Sequence, residues 1–136
     1  GPLETELQCL IQQKRLQEKV KLKGFTKSVC EKVNEAEIFV LSSDYEGMSN
    51  SMLEAMAIGL PCVCTDCPAG GARAVIKDGE NGLLVPVKDA EALAKAMKRI
   101  VEEDGLAEKL SCNAVKIREE QSLNKIIQKW TEVVND

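Results

Sequence analysis

Short apolar segments alternate along this chain with longer segments in which apolar residues recur every three or four positions. The short segments are typical of buried strands, and the longer ones are typical of amphipathic helices. Because strands separated by helices connect through right-handed crossovers, we expect a parallel sheet. The predicted fold class is α/β: a Rossmann-like parallel sheet of about four strands flanked by helices. The predicted strands are residues 20–24, 38–41, 62–65 and 82–86.

The helical periodicity predicts helices on both sides of these strands. Thr26, Asp89 and Ser122 each precede a helical segment and are residue types that cap helix N-termini. The last helix, after Ser122, carries five apolar residues at helical spacing: Leu123, Ile126, Ile127, Trp130 and Val133. The other predicted helices are residues 3–17, 26–34, 51–58, 72–76, 90–103 and 106–120.

Residues 42–61 join a predicted strand to a helix through a polar loop. Gly59 and Pro61 end that helix. In an open parallel sheet, ligands bind outside the carboxyl ends of the strands. A helix N-terminus also presents unpaired N–H groups and a partial positive charge, which favour a phosphate group. This segment is therefore the predicted ligand site, and Asp66 and the Gly70–Gly71 pair either border it or form a plain turn.

Composition narrows the possible partners. The 136 residues correspond to about one domain, with a formal net charge of −4 and no long basic run, which argues against nucleic acid as a partner. No apolar run approaches the roughly 18 residues that can span a bilayer, so we expect a cytoplasmic protein.

The six cysteines include Cys62, Cys64 and Cys67, and these three are either metal ligands or small buried apolar residues. With no histidine to complete a four-ligand set, we favour burial.

Two carboxylates, Glu46 and Glu54, are separated by seven residues in the segment EGMSNSMLEAMAIGLP. This segment resembles the E-x7-E signature of family 4 (group 1) retaining glycosyltransferases. The flanking segments AEIFVLSS, TDCPAGG and DGENGLLVP resemble the same family and occur in the same order. The resemblance covers residues 1 to about 120. It implies GT-B architecture, with residues 1–136 forming part of the C-terminal nucleotide-sugar-binding domain. The N-terminal acceptor domain and the first strands of this domain would be absent.

The resemblance implies a role for each glutamate. Glu54 would bind the vicinal ribose hydroxyls of the donor, whereas the spacing Ser51-x-x-Glu54 alone favours a capping box. Glu46, the candidate catalytic residue, would face the donor sugar, although it is not assigned as a nucleophile. The alternative for Glu46 is a solvated loop carboxylate.

The residues between the two glutamates would bind the donor through their backbone. Their N–H groups lead into a helix N-terminus and can meet the sugar and the diphosphate. The alternative is an ordinary cluster of N-cap residues. These candidate donor-binding residues are Gly47, Met48, Ser49, Asn50 and Ser51.

Some of the family's expected chemistry has no counterpart in this sequence. The basic pair that holds the diphosphate belongs to the upstream part, and Ala74 stands where many relatives carry a glutamate. Lys27 and Arg73 are expected to be surface charges. No D-x-D motif is present, so neither a metal nor another cofactor is expected beyond a UDP- or GDP-linked sugar donor.

The resemblance also implies the partners of the whole protein. A glycan or lipid-linked acceptor would bind through the N-terminal domain, and the whole protein would associate peripherally with the inner face of the cell membrane. The predicted function is retaining sugar transfer in polysaccharide or glycoconjugate biosynthesis, and this part alone is expected to be inactive. The alternatives are a GT-B sugar-nucleotide epimerase or phosphorylase, and a non-catalytic doubly wound nucleotide-binding or interaction module.

Overall fold

A computed structural model describes residues 2–25, 33 and 35–135. Its sheet has three parallel strands in the order β1-β2-β3, and Val40 pairs with Val63, which pairs with Leu83. All four residues of the central strand β2 are buried, because a strand in the middle of a parallel sheet is covered on both faces. The strands are β1 (Phe39–Leu41), β2 (Cys62–Thr65) and β3 (Leu83–Val85).

The described part of the chain contains six helices. The Asp89 carboxylate caps α3 as expected, because its Oδ1 accepts a hydrogen bond of 2.8 Å from the Ala92 N–H. None of these helices is long and apolar enough to cross a membrane. They are α1 (Glu4–Gln13), α2 (Asn50–Ala57), α3 (Ala90–Glu102), α4 (Leu106–Ala114), α5 (Ile117–Glu120) and α6 (Leu123–Asn135).

Two hydrophobic clusters lie on opposite faces of the sheet. Alternate side chains of a strand point to opposite faces, so Cys62 and Cys64 join one cluster while Val63 joins the other. The cysteine side is covered by α2, with Met52 and Met56 fully buried, and by residues of α4 and α5. The Val63 side is covered by α3 and by the first residues of α4. Helices on both faces of a parallel sheet confirm the predicted α/β class.

The predicted strand at residues 20–24 is wrong. Val20 and Leu22 are 40% and 37% exposed, and this segment pairs with no strand in the part of the chain that the structure describes. The alternation of Val20 and Leu22 with lysines fits a strand, but a strand also needs a neighbour with which to share hydrogen bonds. The described sheet therefore has three strands rather than four. The helix predicted at residues 26–34 lies outside the described residues apart from residue 33.

Several predicted helix boundaries also need correction. Helix α1 ends at Gln13, and the predicted helix 106–120 is divided into α4 and α5. Residues 72–76 form a hydrogen-bonded turn instead of a helix, and in this turn the Ile76 N–H donates to the Ala72 carbonyl at 2.8 Å.

The five apolar side chains predicted along the last helix are all exposed, and no residue of α6 is buried.

Candidate functional site

The loop that contains Glu46 leaves the carboxyl end of β1 and is fixed there by residues from the end of β2. The buried Thr65 hydroxyl donates a hydrogen bond of 2.6 Å to the Ser43 carbonyl, and its oxygen lies 3.2 Å from the Leu41 carbonyl. The Cys67 thiol donates to the same Ser43 carbonyl at 3.1 Å. The side chains of Thr65, at the end of β2, and Cys67, just after it, therefore hold the start of the loop.

A close backbone contact holds the other end of the same loop. Gly71 is buried against the peptide that joins Gly47 to Met48. A Cβ atom at position 71 would lie 1.8 Å from the Gly47 carbonyl oxygen and 2.7 Å from the Met48 nitrogen. Only glycine fits at position 71 with this backbone. Glu46 thus lies between two fixed points, Ser43 and Gly47, both of which contact the segment after β2.

Helix α2 begins directly after this contact, and Ser49 is its N-cap. The buried Ser49 hydroxyl accepts a hydrogen bond of 3.4 Å from the Met52 N–H and lies 3.0 Å from the Ser51 hydroxyl. A capping box beginning at Ser51 is therefore wrong, because the N-cap lies two residues earlier and position N3 is Met52. Since the first N–H groups of a helix have no partner within the helix, Asn50 and Ser51 carry donors that a ligand can bind.

The two glutamates occupy different positions along this unit. Glu46 is half-buried in the loop, and Glu54 is exposed on α2. At 1.5 Å per residue, Glu54 lies about 6 Å further along the helix axis than Asn50. The structure therefore brings the candidate residues of positions 46–51 to one helix end and places Glu54 about one turn beyond it. A ligand with a phosphate at the helix end could reach Glu54 with a neighbouring polar group.

Sequence analysis did not assign to the site two side chains that hold this loop, those of Thr65 and Cys67. It did name the Gly70–Gly71 pair as a possible border of the site, and Gly71 contacts the loop. The segment TDCPAGG contains all three residues, and its glycine pair was the available signal. The hydrogen bonds themselves could not be predicted, because they join residues from two different strand ends.

The turn after β2 is closed by an ion pair between Asp66 and Arg73. Arg73 Nε lies 2.6 Å from Oδ1 of Asp66, and Arg73 Nη2 lies 2.5 Å from Oδ2. This two-bond geometry raises the pKa of Arg73, first through the hydrogen bond and then through the charge of Asp66. Arg73 is exposed, as expected of a surface charge, and its guanidinium is engaged with Asp66.

The cysteines of β2 have the properties of core residues. Burial raises the pKa of the Cys64 thiol to about 12 and raises that of Cys62 still further. Protonated, buried thiols are poor nucleophiles and poor metal ligands. Residues 2–25, 33 and 35–135 include no cluster of three side chains suited to hold a metal ion. Within the same ranges, Cys9, Cys62, Cys64, Cys67 and Cys112 are all free thiols.

Comparison with known proteins identifies the family. The model for glycosyl transferases group 1 matches residues 1–117. The chain belongs to this family. The α/β fold expected for part of a GT-B domain is confirmed by the structures of similar glycosyltransferases.

Two curated relatives carry glycosyltransferase names. The chain is 38% identical over 106 residues to the N-acetylgalactosamine-N,N'-diacetylbacillosaminyl-diphospho-undecaprenol 4-alpha-N-acetylgalactosaminyltransferase of Campylobacter jejuni, covering 78% of the chain and 29% of that protein. It is 30% identical over 136 residues to the poly(ribitol-phosphate) alpha-N-acetylglucosaminyltransferase of Staphylococcus aureus, covering 99% of the chain and 27% of that protein. The chain thus spans less than a third of the length of these relatives.

One solved structure has a similar fold over almost the whole chain. A variant of TarM from S. aureus, in complex with fondaparinux, alpha-GlcNAc-glycerol and UDP, matches with a TM-score of 0.87 and 29% identity. The match covers 98% of this chain and 27% of that chain.

Proposed function

We propose that residues 1–136 are the donor-binding part of a retaining, family 4 glycosyltransferase. In the whole protein, a sugar would pass from a nucleotide-sugar donor to a glycan or lipid-linked acceptor. The observation that carries this proposal is the placement of the E-x7-E segment. Glu46 lies in a loop held at both ends, and Glu54 lies on the helix that this loop enters.

The donor would lie across the N-terminus of α2. The diphosphate would accept hydrogen bonds from backbone N–H groups in the segment 47–51, where the helix dipole favours negative charge. The ribose would then reach the exposed Glu54, about 6 Å along the axis, whose carboxylate can accept hydrogen bonds from both hydroxyls. The donor sugar would extend in the other direction, toward Glu46.

The loop geometry suits this arrangement because the candidate donors are held in place before any ligand arrives. The Thr65 hydroxyl and Gly71 fix the two ends of the loop, so the backbone N–H groups need no large reorganisation on binding. In a protease oxyanion hole, removing one well-aimed donor from developing charge costs about 2.7–4 kcal/mol. Transfer would proceed without a metal, since the helix N-terminus and basic groups elsewhere in the whole protein would stabilise the departing diphosphate.

The names of similar proteins suggest the first substrates to test. UDP is present in the TarM structure, which makes a UDP-linked sugar the first donor to test and a GDP-linked sugar the second. Undecaprenol-linked and poly(ribitol-phosphate) acceptors occur in the names of the relatives. The acceptor would bind mainly to an N-terminal domain, and the whole protein would work in the cytoplasm, peripherally at the inner face of the membrane.

The test uses the complete protein and the substitution Glu54→Gln. Gln keeps the size of the side chain but removes the charge that strengthens bonds to the ribose hydroxyls. We expect UDP affinity to fall about tenfold or more, corresponding to the roughly 1.5–3 kcal/mol of a hydrogen bond to a charged group. Glu108→Gln on α4, also at an exposed helical position, is the matched control.

Product analysis completes the test. Sugar transfer with retention at the anomeric carbon supports the proposal, whereas epimerised donor or phosphorolysis would support the enzyme alternatives. Equal UDP binding by the Glu54→Gln variant and the original protein would contradict the ribose role.

A further inference from the structure

A groove of about 780 Å³ lies outside the proposed donor site. Its walls are formed by the segment 73–81, by parts of α4 and α5, and by the first half of α6. None of the seven candidate residues at positions 46–51 and 54 lines it. We call it the lysine groove, after the five side chains Lys77, Lys109, Lys116, Lys125 and Lys129.

The charge of the lysine groove is opposite to that of the chain. Its lining contains these five lysines against two carboxylates, Glu80 and Glu120, which gives a formal charge of +3, because the charge of Arg73, which also lines the groove, is offset by Asp66. The whole chain carries −4. A concave surface lined by one sign of charge concentrates the field and attracts ligands of the opposite sign.

In the described part of the chain, the lysines of the groove form no ion pairs, although two carboxylates line the same groove. Across residues 2–25, 33 and 35–135, none of the five amino groups forms an ion pair, although Lys95 and Lys98 on α3 each pair with a glutamate four residues away. Lys116 donates a hydrogen bond of 2.7 Å to the Asn113 amide oxygen, which is a neutral partner. Lys125 and Lys129 stand four residues apart on α6, a spacing at which like charges repel. A bound anion would relieve this repulsion.

We propose that the lysine groove binds a linear polyanion that carries repeated phosphate groups. The lysines come from the turn before β3, from α4, from the junction between α4 and α5, and from α6. Together they can contact several phosphates along one chain, whereas a single phosphate would engage only a few of them. Their placement on a concave surface suits a flexible chain better than a flat lipid bilayer. No aromatic side chain lines the groove, so the base stacking that stabilises single-stranded nucleic acid is absent there.

The test measures binding of labelled short-chain inorganic polyphosphate to the complete protein by fluorescence anisotropy over a series of salt concentrations. For single-stranded nucleic acid, each neutralised phosphate contributes a slope of about −0.7 to the plot of log K against log salt, and we take the same value for polyphosphate. If four lysines are engaged, the slope is about −2.8, and affinity falls about 50-fold between 50 and 200 mM salt.

Two paired substitutions locate the binding. Lys125→Gln with Lys129→Gln, and separately Lys77→Gln with Lys109→Gln, should each reduce the magnitude of the slope by about 1.4 and weaken binding several-fold. The control removes the same charge elsewhere, at the exposed Lys19 and Lys21, and should leave the slope almost unchanged. UDP binding should be unaffected by any of these variants, which separates this groove from the donor site.

Three results would overturn the proposal. The first is polyphosphate binding that responds equally to the control and the groove substitutions. The second is inorganic phosphate that competes as strongly as polyphosphate at equal phosphate concentration, which would indicate a simple anion site. The third is tighter, groove-dependent binding to phosphatidylglycerol vesicles than to polyphosphate, which would indicate a membrane-docking surface.

Discussion

Gly71 lies in direct backbone contact with Gly47, so that two glycines 24 positions apart in the sequence fix the loop that holds Glu46. The contact is asymmetric. A Cβ atom at position 71 would collide with the Gly47 carbonyl group, whereas a Cβ atom at position 47 would meet no atom within 4 Å. The proposed donor loop is thus positioned by a residue that has no side chain.

This asymmetry predicts different outcomes for two similar substitutions. Gly71→Ala should destabilise the protein by about 1–3 kcal/mol, because the loop must move to accept the methyl group, and should weaken donor binding at the same time. Gly47→Ala should change the free energy of unfolding by less than about 0.5 kcal/mol. Urea unfolding and UDP titration of both variants check this prediction. Equal stability of the two would show that the loop yields easily at position 71.

The other end of the loop depends on the Thr65 hydroxyl. Thr65→Val keeps the shape of the side chain but removes the hydrogen bond of 2.6 Å to the Ser43 carbonyl. We expect the free energy of unfolding to fall by about 1–3 kcal/mol. The reason is that the partly buried Ser43 carbonyl loses the shorter of its two hydrogen bonds and keeps only the one from Cys67. Thr65→Ser keeps the hydroxyl and should lose less stability than Thr65→Val. The KM for the donor should rise in Thr65→Val and stay nearly unchanged in Thr65→Ser, a difference that a purely local packing effect would not produce.

The sequence predicted the parts of this fold that depend on local patterns. Residues 62–65 form a strand as expected, because a short run of small and β-branched residues between turn signals is distinctive. Asp89 caps α3 as expected, because the capping bond joins residues three positions apart. The segment 20–24 shows the limit of such patterns, since whether it forms a strand depends on a distant partner.

The candidate site was also predicted only in its local features. Its location, between the end of a strand and the start of a helix, followed from the order of elements and from the family resemblance. The contact of Gly71 with Gly47 did not, because it joins the ends of two neighbouring strands and leaves no mark on local periodicity. The N-cap of α2 that the capping box implied was misplaced by two residues, because Ser49, Asn50 and Ser51 are all good N-cap residues and only the backbone geometry distinguishes them.

That N-cap assignment can be tested directly. Ser49→Ala should destabilise the protein by about 1 kcal/mol, since the Met52 N–H loses its acceptor. Ser51→Ala should cost less than about 0.5 kcal/mol, because position 51 lies inside the helix and alanine has the higher helix propensity. Chemical denaturation of the two variants decides between the positions. A larger loss for Ser51→Ala would restore the N-cap at Ser51.

The buried thiols of β2 predict a specific loss of stability in alkali. The pKa of Cys64 is raised to about 12 in the folded protein from an ordinary value near 9, and that of Cys62 is raised further, mainly by burial. Below about pH 9 both thiols are protonated in the folded and unfolded states, so they contribute no pH dependence. Above it, the unfolded chain releases these protons while the folded chain retains them, and stability falls by up to about 1.4 kcal/mol per pH unit for each thiol. Urea unfolding from pH 8 to pH 10 should show this fall, and the double variant Cys62→Ala, Cys64→Ala should show a shallower one from a lower starting stability. Equal slopes for the two proteins would mean that other groups cause the alkaline loss.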